Sequence, residues 1–534
     1  LRCNPDGSSK YDLSVYPEGA VNTRASVLKA KGEDNYIAEK EISADLIERI
    51  GAENHFTFTE DWRMGQVENA AKLDKFIQEV KELTGSKKVN LYGLSHGGQL
   101  TAAYLYYYGA KGDVDRAIMD APAIGGTQLV VDLFEGNIHF DVATLIEYVE
   151  IGFRKEYEYE WLVEAFGFDR LNQAFNDIIH QYLLDIVINF GSVWDFVPLD
   201  KYEEFKAKYL DPVENAELIA KSDEMHYNAM AHMSEGLKRA QSAGTRIAIV
   251  ANTGHDIGTS TGVNSDYVID VHSSSGAYCA PFGERFPADC QKQNTVCGDP
   301  THWHISPERD IDASCAYLPE NTWFVNGQFH GMCPWDRYTR NFYLTFFFTD
   351  RITDVYSDKE FPQFDLGQNP ANGLYVKFDR SPSGFHTAKD TALTVESLSE
   401  QYDTEIISVK ADGIDVDLSS CSGTVLKVGE SCKIKFKEHA LPKSTEPFTV
   451  TVVYSLKNGK IPFVKSRTFT FTAMSEGEYD NFVFLSGRKP IPGSAANGGK
   501  APLTPPTGAP AAFSAITLLA GAAMLPIAGK RRKK

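Results

Sequence analysis

The stretch Lys88–Leu100, KVNLYGLSHGGQL, decides how the chain is read. Val89–Tyr92 is a short apolar run behind two lysines and suits a buried strand. After the glycines, QLTAAYLYYY is rich in alanine and leucine and suits a helix. Between them Gly93-Leu94-Ser95-His96-Gly97 fits G-x-S-x-G. A strand feeding a helix through one tight turn is the setting in which such a serine acts as a nucleophile, its hydroxyl raised above the sheet edge. The turn strains the serine backbone, so the residues two away on either side must be small, and both are glycine. The N–H of His96, at the helix start, is placed to donate to a developing oxyanion. The competing reading is an ordinary serine in a glycine-rich turn, and the strand–turn–helix setting favours the nucleophile.

Outward from this stretch the pattern is α/β. HFTFT (His55–Thr59) reads as a strand. VENAAKLDKFIQEVKELTG (Val67–Gly85) reads as an amphipathic helix with Ala70, Leu73, Ile77 and Val80 on one face and Gly85 as its stop. RAIMDAPAIGG (Arg116–Gly126) is another buried strand running into a glycine turn. This succession predicts a parallel sheet with covering helices. From about 127 to 242 apolar and aromatic helical segments dominate, among them FNDIIHQYLLDIVINFGSVWDF, and no strand signal interrupts them. They predict a helical cap whose aromatic side chains either line a lipid-sized cleft or simply pack the cap. TRIAIVANTG (Thr245–Gly254) and ENTWFVNG (Glu320–Gly327) resume the buried-strand pattern, and YTRNFYLTFFFTDRI follows as a closing helix. The expected catalytic unit is residues 1–360. Residues 391–475 alternate as strands and turns, which predicts a small immunoglobulin-like sandwich. Residues 486–502, rich in Gly, Pro, Ala and Ser, predict a flexible stalk.

A serine hydroxyl is a weak nucleophile that needs a base, and the base needs an acid to orient it. In a sheet of this kind they follow in the order serine, acid, histidine. His330, in WFVNGQFHGMC between the last strand and the closing helix, is the expected base, with His255, His272, His302 and His304 as rivals. The His302-x-His304 pair has no clear third ligand in its loop, so neither a metal nor another cofactor is expected. For the acid, Asp266 in GVNSDYVIDVHSSS is preferred, with Asp256 in TGHDIG and Asp270 as alternatives.

The run from Phe56 to Gly98, FTFTEDWRMGQVENAAKLDKFIQEVKELTGSKKVNLYGLSHGG, resembles the lecithin:cholesterol acyltransferase-like branch of α/β-hydrolase lipases. Asp61-Trp62-Arg63 matches that family's Asp-Trp-Arg element, with Glu60 where the family has a tyrosine. The family's acid sits in a Gly-Asp-Gly-x-Val turn followed by serines. Asp266-Tyr267-Val268 ahead of Ser273–Ser275 is similar but lacks the flanking glycines, and NGQFHG resembles the histidine segment. The likeness covers roughly residues 1–350. It implies an α/β-hydrolase sheet with a helical cap and a Ser95–His330–Asp266 triad, with His96 in the oxyanion hole. The implied substrate is an acyl lipid or other ester, its acyl group passed to water or to another alcohol. The family's first strand and Pro-Gly loop supply a second oxyanion donor. They have no counterpart before His55, where Tyr16-Pro17-Glu18-Gly19 is the nearest segment. The alternative class is a non-catalytic surface adhesin or binding protein on a hydrolase scaffold.

At 534 residues with 43% hydrophobic content, the chain supports more than one packed core. A formal net charge of −19 argues against nucleic acid as a partner. The eight cysteines form no C-x-x-C pair, which removes thioredoxin-like and zinc-ribbon readings. Cys279, Cys290, Cys297, Cys315 and Cys333 predict a disulfide-stapled loop region, while Cys421 and Cys432 predict a small closed loop; Cys3 stands apart. In residues 503–534, TPPTG (Thr504–Gly508) precedes an apolar stretch and KRRKK. The order resembles the cell-wall sorting signal of Gram-positive surface proteins, although that motif usually begins Leu-Pro. The resemblance implies that a sortase cuts after Thr507 and links the chain to the wall. The alternative is a permanent membrane span. Either reading puts the body outside the cytoplasm, in keeping with the cysteine usage. Export needs a leader and Leu1 is no initiator, so the expectation is a processed or incomplete N-terminus. Mass spectrometry of muramidase-released protein is expected to find a C-terminal peptide ending at Thr507 and carrying a wall fragment. An intact KRRKK terminus in the detergent-soluble fraction would instead make the tail a membrane anchor.

Overall fold

The computed structural model describes residues 2–473 apart from a set of breaks, the longest at 146–162, 288–295, 365–373 and 437–446. Its centre is a four-stranded parallel sheet: β1 (Val89–Leu94), β2 (Val114–Asp120), β3 (Arg246–Thr253) and β4 (Thr322–Asn326), side by side in that order. Parallel neighbours require crossovers, and helices supply them. Helix α1 (Gln66–Thr84) leads into β1, and α2 (His96–Tyr108) carries the chain from β1 to β2.

The two-residue period of the strands divides their side chains between two cores. Ala117 and Met119 of β2 and Ile247 and Ile249 of β3 face one side, packed with Leu100, Ala103 and Tyr104 of α2. Ile118, Ala248, Val250, Trp323 and Val325 face the other, packed with Phe342, Tyr343 and Phe346 of helix α3 (Arg337–Phe348). A sheet covered on both faces needs strands that are apolar throughout, which is how these runs read. In α1 the predicted face of Ala70, Leu73, Ile77 and Val80 is buried, and the helix stops where Gly85 turns left-handed at φ 70°.

Between β2 and β3 the described residues hold helices and no strand. Phe168–Val187 buries Ile179, Leu183 and Val187, and these join Phe134, Phe190, Trp194 and Phe205 in one apolar cluster. For these side chains, packing the cap is the role observed, whereas Ile178 and Tyr182 on the same helix are exposed. His55–Thr59 is not a strand, contrary to the sequence pattern. Phe56 makes one isolated bridge with Arg24, and Phe58 lies edge-on to Phe76 of α1. An alternating run becomes a strand only where another strand lies alongside, and none does here.

Leu374–Ala473 forms two sheets, beginning upstream of position 391. One contains Leu374–Phe378, Ala392–Ser397, Val416–Asp417 and Ser431–Phe436; the other is built around the long hairpin Pro447–Asn458 and Ile461–Ala473. Cys421 and Cys432 are disulfide-bonded. The stapled loop expected between Cys279 and Cys333 is not found at Cys279 or Cys315, which carry thiols, as does Cys3, and Cys290 lies outside the described residues. Residues 486–534, stalk and tail, also lie outside them, and no helix among the described residues is long and apolar enough to cross a membrane.

The joint between β1 and α2 corrects one expectation. A Cβ at Gly93 would stand 2.3 Å from the Gly97 carbonyl oxygen and 2.5 Å from Thr101 Oγ1, and one at Gly98 would stand 2.7 Å from Pro122 Cβ. A Cβ at Gly97 meets nothing within 4 Å. The close approach therefore requires glycine at 93 and 98, not at 97. Gly97→Ala is expected to leave stability unchanged or raise it by up to about 1 kcal/mol, since alanine is the better helix residue. Gly93→Ala is expected to cost about 3 kcal/mol or more, because backbone atoms cannot give way as a flexible side chain would. Urea denaturation of both variants checks the contrast, and equal costs would contradict it.

Candidate functional site

Ser95 closes β1 with φ 57° and ψ −118°, a region that costs a non-glycine residue about 1–3 kcal/mol. The conformation is held by its neighbours. Ser95 N–H donates to the Asp120 carbonyl at 2.8 Å, and its own carbonyl accepts from Gln99 N–H at 3.0 Å in the first turn of α2. His96 follows as the first residue of that helix, where free N–H groups and the helix dipole favour negative charge.

After β3 the chain makes a short antiparallel pair, His255–Asp256 with Asn264–Ser265, and reaches Asp266. Asp266 Oδ1 accepts from Val268 N–H at 3.0 Å and Ile269 N–H at 2.7 Å. Tyr267 between them has φ 85°, a left-handed backbone that glycine would adopt without strain. The resemblance places a glycine at this position. The tyrosine ring lies over Gly258, where an added Cβ would meet it at 2.7 Å. After β4 the chain reaches His330. Its Nδ1 lies 2.7 Å from Asp266 Oδ2, its backbone N–H donates to the Asp266 carbonyl at 2.9 Å, and both side chains are 1% exposed. A carboxylate only accepts, so Nδ1 carries the proton and Nε2 is the basic nitrogen.

The rival acids are spent on backbone. Asp256 accepts from Val263 N–H at 3.0 Å. Asp270 caps Val271–Ser275 through Ser273 N–H at 2.8 Å and accepts Gln128 N–H at 3.0 Å. Among the rival histidines, His272 Nδ1 pairs with the Ala277 carbonyl and His255 stacks on Phe329. Because the strands are parallel, Ser95, Asp266 and His330 all follow C-terminal strand ends, the edge where open α/β sheets place their ligands.

Several site residues carry no sequence motif. Asp120, at the end of β2, accepts Tyr92 OH at 2.6 Å, with Tyr343 and Cys333 as near neighbours. Burial pushes its carboxyl up to about 6, against the pull of the Tyr92 bond, of these neighbours and of His330. Its signal was the lone acid closing the apolar run RAIMD. His96 Nδ1 pairs with Glu60 Oε1 at 2.9 Å, so the glutamate ahead of Asp61 touches the residue after the serine. Thr59 Oγ1 donates to the Pro17 carbonyl, which brings the 16–19 segment next to Glu60. Asp61 grips the buried Arg63 through Nε at 2.9 Å and Nη2 at 2.5 Å, and Arg63 also reaches Ser9 Oγ. The Asp-Trp-Arg element thus anchors the N-terminal segment. A cavity of about 640 Å³ runs along the open edge of β1, lined by Glu60, Phe58, Phe76, Leu91, Gly93 and Phe347 among others. One group among the described residues has the donor set for a metal, Cys297, His302 and His304. Comparison of the chain with protein-family models, curated proteins and solved structures returns no match.

Asp195 ties the cap to the joint: its Oδ2 accepts Gln66 N–H at 2.6 Å, and its carbonyl accepts Gln99 Nε2 at 2.7 Å. Burial pushes its carboxyl up to about 7, outweighing the Gln66 bond and the attraction of His96. A carboxyl raised in the folded state binds its proton more tightly there than in the unfolded chain. Its contribution to stability is full below about pH 4 and is lost as pH rises through about 7. Asp195→Asn keeps an acceptor for Gln66 and cannot ionise. Between pH 5 and 8 the wild type is expected to lose on the order of a few kcal/mol more stability than this variant. Identical pH slopes in thermal melts would refute the assignment.

Proposed function

We propose that the chain is an extracellular serine ester hydrolase or acyltransferase on an α/β-hydrolase scaffold, carrying an immunoglobulin-like β-domain and held at the cell wall or membrane by its tail. The observation that carries this reading is the buried His330–Asp266 pair at 2.7 Å, on the same sheet edge as a serine in a strained strand-to-helix turn. A buried imidazole aligned by a carboxylate, together with a serine at the same sheet edge, is the arrangement that activates a hydroxyl. Ser95 Oγ attacks the acyl carbonyl carbon and its proton passes to His330 Nε2. The tetrahedral oxyanion accepts from His96 N–H. Collapse breaks the ester C–O bond, and His330 returns the proton to the leaving alcohol. Water or a second alcohol then attacks the acyl-enzyme by the same route. Asp266 holds Nδ1–H and stabilises the imidazolium.

Ser95→Ala is expected to abolish both fluorophosphonate labelling and ester hydrolysis while changing stability by no more than about 1 kcal/mol. Asp266→Asn is expected to lower kcat by about 10³–10⁴-fold with KM little changed. Activity in Ser95→Ala at a tenth of the parent level would move the nucleophile elsewhere. A folded parent protein that takes no probe would favour the non-catalytic binding protein.

A further inference from the structure

The His302-x-His304 pair looked unable to hold a metal because its loop offered no third ligand. The fold supplies two. Ligand atoms of Cys297, His302 and His304 lie within 4.8 Å of one another. Cys297 Sγ stands 3.7 Å from His302 Nδ1, and Glu320 Oε1, from the turn just before β4, stands 2.9 Å from the same nitrogen. Zinc–sulfur and zinc–nitrogen bonds of about 2.3 and 2.0–2.1 Å at a tetrahedral angle put sulfur and nitrogen about 3.5 Å apart, and nitrogen and oxygen about 3.4 Å apart. The two edges at His302 Nδ1, to Cys297 Sγ and to Glu320 Oε1, match these values to within about half an ångström.

The outer contacts also fit. Gln363 spends its amide N–H groups on the Pro319 and Thr322 carbonyls, so its Oε1 is what faces His304 Nδ1 at 2.9 Å. That nitrogen must therefore donate, which leaves the lone pair on Nε2. His302 offers Nδ1 inward, and its Nε2 lies 3.5 Å from Asp299 Oδ2. Each histidine thus has one nitrogen toward an oxygen acceptor, the pairing that orients metal-bound imidazoles. The other meets Tyr356 OH at 3.0 Å in His304 and Glu320 Oε1 at 2.9 Å in His302, and metal binding at His304 would displace the tyrosine hydroxyl.

We infer that Cys297, His302 and His304 form a structural zinc site, with Glu320, beside His302, drawn in as the fourth ligand. The donor set of one thiolate, two imidazoles and one carboxylate suits Zn(II) and not the oxygen-preferring Mg(II) or Ca(II). On binding, the Cys297 thiol gives its proton to solvent and the metal takes the sulfur lone pair. The site fastens Cys297, His302 and His304 to the turn before β4, the strand that leads to His330. Cys297 N–H also donates to the Ser314 carbonyl, and Ala313 N–H to the His304 carbonyl, in the turn at Ala313–Cys315 ahead of β4.

The test uses the full chain, refolded or expressed with Zn(II) and dialysed against metal-free buffer. It is expected to retain stoichiometric zinc. Exchange with Co(II) should give a thiolate-to-metal charge-transfer band and the visible absorption of tetrahedral cobalt. Chelator should lower the Tm, and added Zn(II) should restore it. Cys297→Ser should lose the charge-transfer band, and His302→Gln should lose the chelator-dependent Tm shift. If the variants do not fold, the chelation and restoration cycle on the parent chain decides alone. The inference is overturned by failure to retain zinc, by cobalt spectra without a thiolate band, or by a Tm indifferent to chelator. It is equally overturned if peptide mapping finds Cys297 oxidised in a disulfide. None of these readouts depends on ester hydrolysis, so they stand or fall apart from the proposed activity.

Discussion

Ser95 holds a left-handed backbone because Gly93 and Gly98 have no side chains. The β1–α2 joint brings the Gly97 carbonyl and Thr101 hydroxyl onto Gly93, and Pro122 onto Gly98, at distances no Cβ could share. That contact draws α2 down onto the strand ends and points its N-terminus at the space above them. It also fixes the Ser95 N–H on the Asp120 carbonyl, so the turn is bonded to the neighbouring strand as well as to its own helix. The placement of the serine, of the His96 N–H, and of the α2 face that buries Leu100, Ala103 and Tyr104 all follow from this one approach.

Around that joint the molecule concentrates buried carboxyls. Asp120 and Asp195 are raised by burial, and Asp266 is shared between two backbone N–H groups and an imidazole. Each also ties together separate elements: β2 to β1, cap to α1 and α2, and the loop after β3 to the loop after β4. Polar groups this deeply buried cost stability unless paired, so their bonding restricts the site to few arrangements. Tyr267 adds strain of the same kind. A left-handed tyrosine is kept where a glycine would be cheaper, and its ring covers Gly258 in return.

The sequence by itself determined what local periodicity controls. The stripe of α1, the continuous apolar runs of β2, β3 and β4, the strand–turn–helix at Ser95 and the β-pattern from about position 391 are properties of neighbouring residues, and they were legible for that reason; the strand Leu374–Phe378 upstream was not. The G-x-S-x-G motif marked the right turn but misassigned one glycine, because what crowds position 98 is Pro122, outside the motif. HFTFT failed as a strand because pairing depends on a partner that periodicity does not reveal. Asp256, Asp266 and Asp270 could not be separated along the chain. They differ only in whether the loop after β4 or a nearby backbone amide meets the carboxylate, and that is decided by how two crossovers fold back. Cys297 and Glu320 stand beside His302 and His304 for the same reason. The tertiary structure alone brings them within ligand distance, since a side chain's chemistry is written locally while its partners are set by contacts between segments far apart in sequence.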